Sequence, residues 1–264
     1  MSRIVLSRRR FLQGTALSVA GLAAAGCDKL SQSPSFRARL DTAEGLTLRG
    51  QRLLLHGQSL AREFSPADVS PQFRGNGTVM PADEPYQQLL QDQFAGWRLV
   101  LDGEVERPAS YTMAELQRLP SRTQITRHDC VEGWSAIGGW QGVPLGLLLQ
   151  AAVLKPDARY VVFHCADTYG GGPHKGGDER SGRYYESIDL VDAFHPQTIL
   201  AHGLNGKPLP VANGAPLRLR VERQLGYKQA KYVMRIEVTT RLDAIGGGKG
   251  GFWEDRGYEW YAGI

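Results

Sequence analysis

Cysteine is scarce in this chain. There are three among 264 residues: Cys27, Cys130 and Cys165. None belongs to a Cys-x-x-Cys pair, and neither His-Glu-x-x-His nor a blue-copper Cys-His-Met cluster occurs, so zinc and type 1 copper are poorly supported. Cys-x-x-Cys-His is missing, which excludes covalent c-type haem. No Gly-x-Ser-x-Gly elbow supports a serine hydrolase. Gly246, Gly248 and Gly251 formally match a dinucleotide fingerprint, but no helix follows and the chain nearly ends there. Charge of one sign is lacking too. The net +4 arises in residues 1–26, which hold four arginines and no acid, and the remainder carries 27 basic and 27 acidic residues. Such a balanced body has no electrostatic case for nucleic acid, whose phosphates require a basic surface. With 42% hydrophobic residues, 32 Gly and 14 Pro, the chain is not a disordered polymer, a collagen-like repeat or a small disulfide scaffold. It can build one large domain or two modest ones.

The basic excess has the form of an address. Arg8-Arg9-Arg10-Phe11-Leu12 precedes a short run of small and apolar residues, 15–26, too short for an ordinary spanning helix of about 20 residues. The paired arginines followed by Phe-Leu resemble a twin-arginine export signal, which implies the twin-arginine machinery as a partner and the periplasm as destination. Ala24-Ala25-Gly26-Cys27 resembles a lipobox, with alanine where leucine is usual. Cys27 is therefore either a lipid anchor to the membrane or discarded or inert after cleavage nearby. The division expected is signal 1–26, tether 27–50 and catalytic body 51–264.

Residues 28–50 are polar and read as a mobile tether; residues 51–96, with Pro66, Pro71, Pro81 and Pro85, read as an extended segment with a turn at Asn76-Gly77. Strands are expected over 97–101, 124–130, 160–163, 217–221 and 232–239, and 198–202 should pair with 209–211 across Asn205-Gly206. Thr112-Met113-Ala114-Glu115 has capping-box spacing and should open a short helix ending before Pro120. Helices are also expected over 143–153, with Pro144 in the first turn, and over 187–194. The glycine-rich stretch 170–182 reads as a functional or mobile loop. No repeat period is present, and the pattern is that of an α+β domain with mixed sheets and short helices.

Chemistry concentrates in Arg127-His128-Asp129-Cys130-Val131-Glu132-Gly133-Trp134, then Trp140-x-Gly142-Val143-Pro144. Downstream come Asn213-Gly214-Ala215-Pro216-Leu217-Arg218 and Gly226-Tyr227-Lys228-Gln229-Ala230-Lys231. In an oxidising compartment Cys130 and Cys165 suit one disulfide, or else one of them binds a metal. This ordered combination, over roughly residues 76–241, resembles the molybdopterin-binding domain of the sulfite oxidase family, closest to its bacterial methionine-sulfoxide reductase branch. The resemblance implies a sulfite-oxidase-like fold and a molybdenum–molybdopterin cofactor with Cys130 as the one protein ligand to the metal. A soft thiolate suits that role. It implies Asn213, Arg218 and the Gln229-Ala230-Lys231 turn as pterin contacts, with Asn76 as a further candidate. Arg218 can fork onto a phosphate, and Lys231 can add a point charge. His128 either lines the substrate side or is a structural histidine, and Cys165 either faces the cofactor or is simply buried. Arg218 and Lys231 also fit solvated strand faces; Trp134 and Trp140 fit core or pocket wall, and Glu132 a helix-start carboxylate.

The family's larger members carry an added dimerisation domain or a haem domain. This chain ends 23 residues after Arg241, so a monomer is expected. The run after Cys130 is Val-Glu-Gly-Trp rather than basic, which disfavours the sulfite dianion, although Arg127, Lys175, Arg180 and Arg183 could supply positive charge. The reading is an oxidoreductase moving an oxygen atom to or from a small sulfur- or nitrogen-containing substrate. Lacking haem and iron–sulfur motifs, it requires an external electron partner: a c-type cytochrome for oxidation, a membrane haem protein for reduction. The alternatives are a sulfite dehydrogenase and a non-catalytic binding lipoprotein with a Cys130–Cys165 disulfide.

Overall fold

The computed structural model describes residues 33–54, 59–169 and 182–264. The export signal, Cys27, Lys175 and Arg180 lie outside the described residues, as does nearly all of the glycine-rich loop. The chain divides into two compact units, 1–51 and 52–264. The irregular tether expected up to residue 50 is instead helical: α1 spans Pro34–Leu54. Proline opens it at a position where its missing N–H costs nothing, and Leu, Arg, Ala, Glu and Gln, all good helix formers, dominate the remaining turns. Its polarity reads as loop only when an apolar stripe is demanded of every helix. Among the described residues no helix is long and apolar enough to cross a membrane.

In the larger unit, the described residues before 97 depart from the extended chain expected at a 3-10 turn, Pro66–Asp68, at α2, Glu84–Gln91, with Pro85 in its first turn, and at the turns that follow α2. The chain then forms β1 (Arg98–Gly103), β2 (Ala109–Thr112), α3 (Met113–Arg118), β3 (Arg122–Cys130), β4 (Trp134–Pro144), α4 (Leu145–Ala152) and β5 (Tyr160–Thr168). After the glycine-rich loop come β6 (Arg183–Asp189), α5 (Leu190–Ala193), β7 (Ile199–Leu204), β8 (Lys207–Pro208), β9 (Arg218–Arg220) and β10 (Val233–Thr239). The capping box at Thr112 is formed in both directions: Glu115 N–H donates to Thr112 Oγ1 at 3.2 Å, and Thr112 N–H donates to Glu115 Oε2 at 2.7 Å. Asn205 and Gly206 take φ of 52° and 72°, the left-handed pair that a two-residue hairpin turn requires.

The helix expected over 187–194 begins three residues late, because Ser187, Ile188 and Asp189 belong to β6. Residues up to Asp189 pair antiparallel with β5, and only one turn of helix follows, capped by Asp189 accepting from Asp192 N–H at 2.8 Å. Both faces of β6 are buried, so its side chains lack the polar alternation that would have marked a strand. Strand β10 starts at Val233 rather than Tyr232, because Tyr232 sits at φ 55° and turns the chain.

Two five-stranded sheets result. One runs β2-β1-β10-β5-β6, with β1 and β10 parallel and the other pairs antiparallel; the other is antiparallel, β3-β4-β7-β8 with β9 also on β7. The main core joins Leu99, Leu101, Val161, Phe163, Ile236 and Val238 of the first sheet to Val143 of β4 and to Leu145, Leu148 and Leu149 of α4. Each such side chain contributes roughly 1.5–3 kcal/mol on leaving water. Placement of the β3–β4 hairpin against β7 depends on Gly142, where an added Cβ would stand 2.1 Å from the Leu200 carbonyl oxygen. Gly142→Ala should therefore destabilise the domain by about 3 kcal/mol, the upper range for an overpacked site, readable as a lowered urea midpoint.

Candidate active site

Alternation along β3 puts Gln124, Thr126, His128 and Cys130 on one face. Cys130 ends the strand and pairs across the hairpin with Trp134, and the turn between them is Val131-Glu132-Gly133. Gly133, at φ 84°, closes it by donating to the Cys130 carbonyl at 3.1 Å. Glu132 is thus a turn residue, not the start of a helix. Its carboxylate accepts from Trp134 Nε1 at 2.9 Å and from Gly77 N–H at 3.4 Å, tying the Asn76-Gly77 turn to the hairpin. Phe73 is wedged behind, its ring 4.9 Å from Trp140, 5.8 Å from His128 and 6.4 Å from Trp134. Cys130 is a free, half-buried thiol. Burial pushes its pKa up, and the Glu132 backbone together with Arg74 and Arg218 draws it down.

His128 is fully buried. It does not line an open substrate face, because the hairpin folds it inward beneath aromatic rings. Its Nδ1 lies 3.1 Å from Arg220 Nη1. A guanidinium only donates, so Nδ1 must accept and the imidazole proton is assigned to Nε2. Burial first, then Arg220 and Arg218, holds its pKa well below the histidine range. Arg220 in turn grips Glu222 with two bonds, at 2.9 and 2.6 Å, and Glu222 accepts from Gln124 Nε2 at 2.8 Å. Sequence reading missed this chain of groups. Its only trace was the Arg-x-Arg alternation of β9 opposite the Gln-x-x-x-His alternation of β3.

The pterin candidates converge from distant parts of the chain. Asn213 ends a short 3-10 turn, and Gly214 follows at φ 111°, where a Cβ would stand 2.8 Å from Lys231 Cβ and 3.2 Å from Arg218 Cβ. Only glycine lets these residues approach so closely. Arg218 is buried, not a solvated strand face. It donates to the carbonyls of Asn213 at 2.9 Å and Gln229 at 3.4 Å, and stands 4.9 Å over the Trp140 ring. Burial and neighbouring Arg220 push its pKa down to about 9. Lys231 donates to the carbonyls of Asn76 at 2.7 Å, Ala212 at 3.2 Å, and Thr78. Burial and Arg218 pull it below the lysine range. Ala230 is buried and its carbonyl accepts from Leu219 N–H at 2.7 Å. Asp167, also missed from sequence, is a buried carboxyl pushed up by desolvation.

Cys165 is within electrostatic reach of Lys231 and Asp167. It lies in the main hydrophobic core, its thiol 3.8 Å from the Phe163 carbonyl of its own strand, and burial pushes its pKa well up. Both it and Cys130 are free, so the Cys130–Cys165 disulfide is not formed. Of the basic residues considered for sulfite, Arg127 pairs with Asp129 and Arg183 with Asp83.

The domain described as the oxidoreductase molybdopterin binding domain matches residues 86–244, and the chain belongs to that family. It is an oxidoreductase using a molybdopterin cofactor. Over 206 residues it is 42% identical to a protein named as a protein-methionine-sulfoxide reductase subunit, YedZ1, of Azospira oryzae, covering 76% of this chain and 70% of that one. The catalytic subunit MsrP of protein-methionine-sulfoxide reductase from Xanthomonas axonopodis pv. citri is 33% identical over 239 residues, covering 89% of this chain and 70% of the relative. Among solved structures, the sulfane dehydrogenase SoxCD of Paracoccus pantotrophus aligns with a TM-score of 0.46 at 24% identity, over 55% of this chain and 38% of that chain.

The residues present fit the cofactor. Asn76 Oδ1, Asn213 Nδ2, Arg218 Nε and Gln229 Oε1 are buried side-chain atoms without a hydrogen-bond partner among the described residues. Leaving such atoms unpaired costs roughly 1–3 kcal/mol each, and a pterin, edged with amide-like donors and acceptors, matches both kinds. Among the described residues no three His, Cys, Asp or Glu side chains gather as a metal site. A single thiolate ligand to a metal carried by its own cofactor asks for no such cluster.

Arg220→Met should destabilise the domain by about 3–5 kcal/mol, because Glu222 is left buried and uncompensated. Adding Glu222→Gln should recover much of that loss in chemical denaturation.

Proposed function

We propose that the chain is the catalytic component of a sulfoxide reductase, delivering two electrons and two protons to an S=O group and releasing the sulfide and water. The observation that carries this is Cys130, a half-exposed free thiol at a hairpin end, beside converging buried polar atoms that suit a pterin. When bound, the molybdenum–pterin group supplies two-electron oxygen-atom exchange. Cys130 would be its protein ligand, and Asn76, Asn213, Arg218 and the Gln229–Lys231 turn would hold the pterin. Arg218 and Lys231 brace the surrounding turns through their carbonyls and leave the cradle positive. Trp134 and Phe73 offer an apolar, polarisable wall, favourable to a thioether or sulfoxide sulfur. Glu132 next to Cys130, with Arg127 already paired to Asp129, disfavours a sulfite dianion. The names of the two relatives support the same substrate class. Electrons would come singly from an external carrier, for which a membrane haem protein suits reduction.

The test is a panel of sulfoxides, N-oxides and sulfite on molybdenum-loaded protein with artificial electron donors and acceptors. Sulfoxide reduction should dominate; turnover of sulfite with inert sulfoxides would overturn the assignment. Cys130→Ser should retain the fold and most of the pterin but lose activity by orders of magnitude, with the sulfur-to-metal absorption shifted or lost. We further propose periplasmic delivery through Arg8-Arg9, with Cys27 as lipid anchor. Replacing both arginines by Lys should hold the precursor in the cytoplasm, and normal export of that variant would contradict the route.

A further inference from the structure

The turn that leads into Gln229-Ala230-Lys231 has little regular structure of its own. It is one 3-10 turn, Gly226–Lys228, followed by Tyr232 at positive φ. The C-terminal segment beyond β10 is similarly irregular: among its described residues only Glu254–Arg256 forms a 3-10 turn. The two are nevertheless fastened together along their length. Leu225 N–H donates to the Ala262 carbonyl at 2.9 Å, Ile264 N–H to the Arg223 carbonyl at 3.0 Å and Ala262 N–H to Gln224 Oε1 at 3.2 Å. Tyr227 OH donates to the Glu259 carbonyl at 2.6 Å. The segment is also fixed to β6: Glu186 bridges Gly251, Phe252 N–H donates to the Tyr185 carbonyl at 2.9 Å, and Trp260 Nε1 donates to Ser187 Oγ at 2.8 Å.

At the centre of this contact lies a charge cluster that the cofactor site does not itself use. Lys228 Nζ lies 2.5 Å from Glu186 Oε1 and 2.5 Å from Glu254 Oε1, and all three side chains are at most 1% exposed. Lys228 therefore ties the turn to β6 and to the C-terminal segment at once. The fit is tight: a Cβ on Gly251 would stand 2.0 Å from Glu254 Oε2 and 2.8 Å from Glu186 Oε1.

We infer that Lys228, clamped by Glu186 and Glu254, is a positioning residue for the cofactor: through it the C-terminal segment acts as a strap that sets the Gln229–Lys231 turn against the pterin. This deepens the cofactor assignment and rests on that turn being a pterin contact. An ammonium between two carboxylates is held far more firmly than a neutral side chain, and a buried acid pair left without its cation must rearrange or take up protons. Burial and Glu254 already push Glu186 well above the carboxylate range, so the pair cannot stay closed as two anions without Lys228. Loss of Lys228 should open the strap next to the turn while leaving both sheets paired.

The experiment measures release of pterin from purified holoenzyme, read as the fluorescence of its oxidised form after timed gel filtration, beside the melting temperature. Lys228→Met should release pterin at least tenfold faster than wild type. Leu116→Ala, a core truncation under α3, supplies a matched loss of melting temperature and should release it at the wild-type rate. Equal release rates from Lys228→Met and Leu116→Ala would reduce the cluster to general stability and overturn the inference. If Lys228→Met does not accumulate folded, Tyr227→Phe, which removes only the hydroxyl that holds Glu259, should speed release severalfold, and an unchanged rate there would likewise overturn it. Wild-type protein that binds pterin yet reduces no sulfoxide would sink the proposed activity and leave this test intact.

Discussion

The site is organised by two guanidinium groups buried against one indole. Arg218 and Arg220, alternate residues of a three-residue strand, both lie over the Trp140 ring, at 4.9 and 4.3 Å from its centroid. Like charges this close in a dry interior must each be answered. Arg220 is answered by Glu222, and its third nitrogen, Nη1, fixes the tautomer of His128, two residues before Cys130. Arg218 has only backbone carbonyls, from the two turns that carry Asn213 and Gln229. That imbalance is the chemical character of the site. One cation is neutralised and used to orient the hairpin, and the other braces the cradle and keeps it attractive to an electron-rich group.

The two interior cysteines show how far environment decides what a thiol can do. Cys130 ends a strand at a hairpin turn, half in solvent, and burial raises its pKa, an effect that Arg74 and Arg218 only partly offset. Cys165 is central in a strand paired on both sides, wholly within the core, and near Asp167 and Glu186, which favour the neutral thiol. The first stays accessible at a strand end; the second is packed as a small apolar side chain. Nothing in composition separates them, because each directly follows a polar residue, Asp129 or His164. Their difference is made by which segments fold across them.

The same distinction explains what was legible in the sequence. Local signals were read correctly: the Thr112–Glu115 capping box, the Asn205-Gly206 turn, the strand ending at Cys130, the helix after Pro144. Each depends on residues within one or two turns of one another. The misread elements depend on distant partners. Residues 187–189 are strand because they pair with β5, and burial of both faces of β6 erased the alternation that identifies a strand. Helix α2 hid in a stretch whose prolines suggested extended chain, although Pro85 sits where a helix tolerates it. For the site, the motif residues converge in space, but the contacts they make within the chain left no signal in the sequence. Arg218 and Lys231, read as pterin contacts, also donate to carbonyls of neighbouring turns, and Glu222 and Gln124 left no motif at all.

Four stretches far apart in the chain build the cradle: the Phe73–Thr78 turn, the β3–β4 hairpin, the Asn213–Arg218 run and the Gln229–Lys231 turn. The bond from Lys231 to Asn76 spans 155 residues, and that from Arg220 to His128 spans 92. No fragment contains the site, and each unpaired polar atom that would meet the pterin is buried only because the remote segments have already come together. A group held in this way can be inserted only into a chain that is folded or completing its fold. Loading therefore has to precede any passage across a membrane, unless the cofactor is available on the far side. An export route that carries folded proteins meets that condition, whereas threading an unfolded chain would dismantle the cradle. The export route proposed for Arg8-Arg9 and the long-range construction of the site thus call for one physical order of events: folding, then cofactor, then export.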